Sequence, residues 1–311
     1  MSTATLPYLS VPPERIGVHA PAGSLPTETR LGTVRLQVAD LGRSLGFYQL
    51  VLGFRLLQQQ AAAEGHGAVA HLGAVGSNEV LLELHEKPGV RPVPRRGLLG
   101  IYHFAVLLPS RPDLGRFVRH IREAGVPLGS SDHNYSEATY LVDPDGITVE
   151  VYRDRPRSEW QVTAQGEIQS ALDPMDTHGL LAAAGAEPWA GLPAGTTLGH
   201  MHLYVGDLGQ AAAFYHVALG LDKVTWSLTG ALFVSAGGYH HHLGLNVWAA
   251  SSPAATDDDA RLLRWELVLP TQASAEAAAQ RLRQAGYAVE ATAEGHLTRD
   301  PWGSALLLRV G

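Results

Sequence analysis

Fifteen histidines and no cysteine set the terms for any chemistry in this chain of 311 residues. Without cysteine there are no disulfides, thiolate nucleophiles, iron–sulfur clusters or Cys-type zinc sites, so a metal must be held by histidine and carboxylate. Such residues gather at three places. Residues 133–150 read HNYSEATYLVDPDGITVE. Here Asp143-Pro144-Asp145-Gly146 is a turn signal, and Glu150 sits between Val149 and Val151, where an unpaired inward carboxylate would be costly. Residues 198–208 read LGHMHLYVGDL; His200 and His202 share strand parity, hence one face of a sheet. Residues 237–248 read GGYHHHLGLNVW. Strand alternation there would put His240 and His242 on one face and His241 on the other. Histidine titrates near neutrality, which suits proton transfer.

The elements that position these residues come from an internal repeat. Leu36, Val38, Asp40, Leu41, Phe47, Tyr48 and Gly53 recur 167 residues later as Leu203, Val205, Asp207, Leu208, Phe214, Tyr215 and Gly220. A second pair, offset by 161, joins Pro109 to Pro270 and Ala124-Gly125 to Ala285-Gly286. Asp143-Pro-Asp-Gly146 is echoed by Asp300-Pro-Trp-Gly303. Each unit reads as a short apolar strand, a helix and several strands with glycine turns. Asp40 and Asp207 are expected helix caps, and Gly53, Gly125, Gly220 and Gly286 are expected helix stops. Phe117, Ile121 and Ala124 have the spacing of a buried helical face. The pattern is β-α-β-β-β four times, at 31–90, 99–155, 196–250 and 261–311. The chain thus divides into an N-terminal extension (1–30), modules 1 and 2 (31–168), a linker with one short helix (169–195), and modules 3 and 4 (196–311).

Composition narrows the function classes. Apolar residues are 45% and charged residues 17%, enough for large cores. Net charge is −7 with only 23 Lys and Arg, so no nucleic-acid surface is expected. No apolar run approaches the roughly 18 residues of a membrane span. Met1 to Thr29 does not read as a signal peptide. These features and the missing cysteine predict a cytoplasmic protein without a membrane partner.

The phrases VADLGRSLGFYQLVLGF, DHNYSEATYLVDPDGITVEVY, LGHMHLYVGDL and GGYHHHLGLNVW resemble the vicinal oxygen chelate superfamily, which includes glyoxalases and extradiol ring-cleaving dioxygenases. The last two are similar to the bacterial catechol 2,3-dioxygenase branch. The resemblance spans nearly everything after residue 30. It implies an α+β fold of four β-α-β-β-β modules paired into two cupped mixed sheets, with metal ligands on the first and last strands of paired modules.

Carried onto this chain, the first-strand positions are Thr33, His103, His200 and Arg264, and the last-strand positions are Glu150 and Leu307, with Glu83 alone in module 1. Only modules 2 and 3 offer a set: His103, Glu150 and His200, with His202 the competitor for His200. The expected pairing is therefore 2 with 3 and 1 with 4. Two imidazoles and a carboxylate form the facial triad of non-haem Fe(II) and O₂ chemistry, although Zn(II) or Mn(II) would also suit such donors. The resemblance makes His133 and Tyr140 substrate-facing and His241 the acid/base; Thr139 and Ser131 depart mildly from the family's signature.

The expectation is an extradiol dioxygenase that cleaves a catechol- or hydroquinone-like aromatic with O₂, and a homo-oligomer would be compatible with it. A glyoxalase-like isomerase or lyase would want a further carboxylate, which HHHLGLNVW lacks. A metal-free binding protein of the same fold would have no use for the complete triad. Fold alone does not separate the three.

Overall fold

The computed structural model describes residues 12–63 and 67–311. Positions 1–11 of the N-terminal extension lie outside the described residues, as do 64–66. Module 1 comprises β1 (Arg30–Val38), α1 (Leu41–Leu45) continued by a π-helical turn (Gly46–Val51), β2 (Arg55–Gln60), β3 (Val69–Gly73) and β4 (Leu82–Glu86). Module 2 comprises β5 (Gly100–Leu107), α2 (Arg111–Glu123), β6 (Gly129–Asp132), β7 (Ser136–Val142) and β8 (Thr148–Asp154). The linker carries α3 (Thr177–Ala183). Module 3 has β9 (Thr197–Tyr204), α4 (Leu208–Ala212) with its π-helical turn (Ala213–Ala218), β10 (Asp222–Thr225), β11 (Ala231–Ser235) and β12 (Leu243–Asn246). Module 4 has β13 (Arg261–Leu269), α5 (Gln272–Gln284), β14 (Val289–Thr292), β15 (Gly295–Arg299) and β16 (Ala305–Val310).

Local signals explain the boundaries. Asp40 accepts from the Arg43 amide and Asp207 from the Gln210 amide, capping α1 and α4. Ser110 and Thr271 perform the same task in modules 2 and 4. Gly53, Gly125, Gly220 and Gly286 all have φ between +69° and +105°, so each helix turns back where a side chain would be strained. One expectation fails: Ala124 is exposed at the end of α2, and the buried face runs through Leu114, Phe117, Val118 and Ile121.

The strands form two eight-stranded mixed sheets, ordered β14-β15-β16-β13-β1-β4-β3-β2 and β10-β11-β12-β9-β5-β8-β7-β6. Module 1 therefore joins module 4 through antiparallel β1 and β13, and module 2 joins module 3 through antiparallel β5 and β9. The chain halves 31–168 and 196–311 are not the sheets, because each sheet takes one module from each half. In every module the first and last strands are parallel, which requires the helix as crossover.

Strand parity then sorts the residues. Val34 and Leu36 of β1, Phe104 and Val106 of β5, Met201 and Leu203 of β9, and Trp265 and Leu267 of β13 fill one core between the sheets. Their neighbours in sequence, His103, Ala105, His200 and His202, face the opposite way, into the concave side of the second sheet.

Candidate metal centre

The register across β9, β5 and β8 builds the site. His200 pairs with Ala105, and Ala105 pairs with Glu150, so the three form one row across the sheet. The central residue is only a methyl group, which leaves a hollow between the outer two. His103, two residues before Ala105 on the same face, leans into that hollow. His103 Nε2 lies 3.0 Å from Glu150 Oε2, His200 Nε2 lies 3.2 Å from the same oxygen, and the two nitrogens are 3.3 Å apart. All three side chains are buried.

This donor set suits a divalent ion. Three potential ligand atoms, His103 Nε2, His200 Nε2 and Glu150 Oε2, converge within 3.0–3.3 Å of one another in a buried hollow. Burial opposes the charge on Glu150, but His200 and His103 override it and hold the carboxyl well below the usual carboxylate range. Burial also drives His200 down to about 4, so the imidazole is neutral and able to ligate at pH 7.

The corresponding row in the other sheet is Arg264, Arg35 and Glu83. Arg35 fills the place of Ala105 and pairs with Glu83 at 2.5 Å, while His85 lies 3.1 Å from the same carboxylate. Arg264 is held by Glu266 and Glu294. Thr33 donates its hydroxyl to the Val80 carbonyl, and Leu307 is core. Guanidinium groups thus already supply the positive charge that a metal would bring.

His202 stands apart from the cluster. Asn246 accepts from the Trp248 amide, which orients its Nδ2 to donate to His202 Nε2 at 2.9 Å. His202 is therefore engaged as a hydrogen-bond acceptor. Gly244 makes room for it, since a Cβ there would lie 2.8 Å from the His202 ring.

Two groups flank the triad. On the His103 side, Tyr140 is tilted against that ring at 5.8 Å and donates its hydroxyl to His133 Nε2 at 2.7 Å. His133 Nδ1 in turn donates to the Ala171 carbonyl at 2.7 Å, so the Tyr140–His133 pair has a defined direction. Burial and then the Glu150 charge push the Tyr140 phenol up, so it stays protonated. On the other side the His241 ring lies 4.0 Å from that of His200 and 4.7 Å from Phe233. Burial, reinforced by the neighbouring histidines, takes His241 well below the ordinary histidine value.

The histidine run is not itself a strand; β12 begins only at Leu243, so alternation does not decide its faces. All three histidines are buried. His242 is fixed by Ser235 and the Ala236 amide, and His240 by Asp154. Of the residues around the triad, Trp248 and Asn246 can be named from the sequence as pocket-lining candidates, but Asp154, Tyr102 and Tyr204 cannot; Tyr102 stacks 4.7 Å from Tyr204 and stands edge-on to Trp248 at 5.9 Å. The one available signal for Asp154 is its position four residues beyond Glu150 on one strand, hence on the same face.

Two sheets of paired β-α-β-β-β modules, one of them carrying a buried His₂Glu cluster, define the class: a vicinal-oxygen-chelate fold with a candidate metal centre. The chain belongs to the glyoxalase/bleomycin resistance protein/dioxygenase superfamily, whose model matches residues 30–151 and 197–306. It is 42% identical over 289 residues to the catechol-2,3-dioxygenase of Bacillus subtilis (strain 168), covering 92% of this chain and 99% of that protein. Its fold is similar to the crystal structure of a candidate dioxygenase from Bacillus subtilis, with a TM-score of 0.62 at 12% identity over 93% of this chain and 86% of the other. Glyoxalase I of Zea mays is similar at a TM-score of 0.54 and 18% identity, covering 90% and 92% of the two chains. No helix among the described residues is long and apolar enough to cross a membrane.

Proposed function

We propose that the protein is an extradiol dioxygenase that opens a catechol- or hydroquinone-like ring with O₂, using Fe(II) held by His103, Glu150 and His200. One observation carries this reading: the triad is bracketed by His241 against His200 and by Tyr140 against His103. A chelated aromatic diol needs a proton acceptor beside it, and neutral His241 is one. Near full-length similarity to a protein named catechol-2,3-dioxygenase supports the same conclusion.

Fe(II) in this site would supply the redox chemistry that lets O₂ react with an aromatic diol. The remaining work falls to the chain. Neutral His241 accepts a proton from a substrate hydroxyl and returns it later, as general base and then acid. Tyr140 gives its one O–H to His133 Nε2, so toward a substrate hydroxyl it is an acceptor. Tyr102, Tyr204 and Trp248 give the ring an aromatic wall. Burial keeps bulk water from the donors, which strengthens each polar contact.

Mn(II) or Zn(II) would fit the same donors. A glyoxalase-like reaction is less well supported, because no fourth His, Asp or Glu joins the cluster among the described residues. The same reading takes the cytoplasm as the working compartment, in keeping with a chain that has no cysteine. Metal analysis combined with oxygen consumption on catechols tests the proposal. One iron per chain and oxygen-dependent ring opening are expected; iron binding without oxygen uptake on any vicinal diol would overturn it.

A further inference from the structure

We propose that Asp154 and His240 are positioning residues that fix the tautomer of His241 and so decide which of its nitrogens accepts the proton. This rests on the assignment of His241 as the acid/base.

Asp154 Oδ1 lies 2.7 Å from His240 Nε2. A carboxylate only accepts, so His240 Nε2 carries a proton, and with that as its single proton in the proposed arrangement the ring keeps a lone pair on Nδ1. That Nδ1 lies 2.8 Å from His241 Nδ1. Two ring nitrogens at this distance share one proton, and His240 has none to offer there. The proton therefore belongs to His241 Nδ1, which leaves His241 Nε2 as the bare lone pair. The described residues offer Nε2 no hydrogen bond, so this is the free end of the chain.

The surroundings hold the arrangement. His240 is fully buried, stacked on Tyr135 at 4.4 Å and 15°, with Trp160 edge-on at 5.4 Å. Water does not reach the ring to average its tautomers. The Tyr239 hydroxyl lies 2.8 Å from that of Tyr152, and burial and then the Asp154 charge push its phenol up, so it stays protonated beside the pair. Asp154 and Glu150 share one face of β8, so a single strand fixes both a metal ligand and the far end of the hydrogen-bond chain. The logic is that of a carboxylate holding a catalytic imidazole in its working tautomer, here with a half-buried Asp154 and one buried imidazole interposed.

The test is ¹⁵N NMR of histidine-labelled protein, without added metal and again with Zn(II), together with steady-state kinetics. Wild type should show His241 in the Nδ1–H form, whereas a free neutral histidine favours Nε2–H. His240→Phe should release it to Nε2–H and lower kcat by roughly 10–100-fold, the usual loss for an orienting partner, with KM within about twofold. His240→Asn, which keeps an acceptor oxygen near the place of Nδ1, should retain the wild-type form and most of kcat. The Nε2–H form in wild type would overturn the proposal, and that measurement needs no variant to fold. So would a His240→Phe protein with unchanged tautomer and kcat. If the Nδ1–H form is found but catechols are not cleaved, the dioxygenase reading fails and the positioning chain stands.

Discussion

Tyr48 donates its hydroxyl to Asp143 Oδ2 at 2.9 Å, and the bond recurs at the same length between Tyr215 and Asp300. Each bond joins the helix of one module to the turn before the last strand of the next. Because modules 1 and 2 lie in different sheets, as do modules 3 and 4, these bonds tie each chain half together across the sheets. The sheets in turn tie the halves to each other. The remaining carboxylate oxygen closes the turn, accepting from the amides of Asp145 and Ile147 in one case and Trp302 and Ser304 in the other. The repeated Phe-Tyr and Asp-Pro-x-Gly phrases are thus two ends of one contact.

Tyr48→Phe should lower stability by about 1–3 kcal/mol, because it leaves a buried carboxylate oxygen without its donor. Thermal melting should show a lower Tm while metal content stays at the wild-type level. An unchanged Tm would mean that Tyr48 acts through its ring alone.

The Asp143 carboxyl is pushed up to about 6, mainly by burial, against the hydrogen bonds from Ile147 and Tyr48. In the unfolded chain it titrates near 3.9. Between these values the folded protein holds a proton that the unfolded chain releases, so this group's contribution to stability falls as pH rises. Asp143→Asn lacks the effect. Its stability relative to wild type should improve by up to about 3 kcal/mol from pH 4 to 6 and then level off. Denaturant titrations across that range check the slope; a difference independent of pH would refute it.

Much of this was legible in sequence because repeats expose module boundaries and parity exposes faces. The pairing of modules 2 and 3 followed from His103, Glu150 and His200 being the full ligand set. What stayed hidden depends on tertiary contact. The part played by Ala105 is invisible until register puts it between His200 and Glu150. Asp154 and the Tyr102 wall gain meaning only from neighbours distant in the chain. Alternation does not decide the faces of the histidine run either, since residues 240–242 lie outside β12.

Histidine register has its own test. His200→Ala should abolish stoichiometric metal binding. His202→Gln should retain one metal per chain, with affinity lowered at most by the roughly 10–100-fold of a residue beside a ligand. Inductively coupled plasma analysis and competition titration read both, and the reverse order would make His202 the ligand.

His241→Phe should keep the metal and lower turnover by roughly 10²–10⁴-fold, the usual range for a positioned proton-transfer group. The sequence alone suggests an acid limb of the pH–rate profile near the free histidine value of about 6.5. Burial and the adjacent histidines lower the His241 value, so in the folded protein the limb should lie below that, and the variant should lose it. His133→Phe should instead weaken substrate binding and leave the limb in place. Turnover within about threefold of wild type in His241→Phe would move the acid/base role elsewhere.

The most direct test of the central claim is oxygen uptake by anaerobically iron-loaded protein offered a panel of catechols, with Glu150→Gln alongside. The account predicts one O₂ consumed per ring opened and a yellow ring-cleavage product from wild type, with neither from the variant. Stoichiometric iron in the wild-type protein with no oxygen uptake across the panel, or equal uptake by Glu150→Gln, would contradict it.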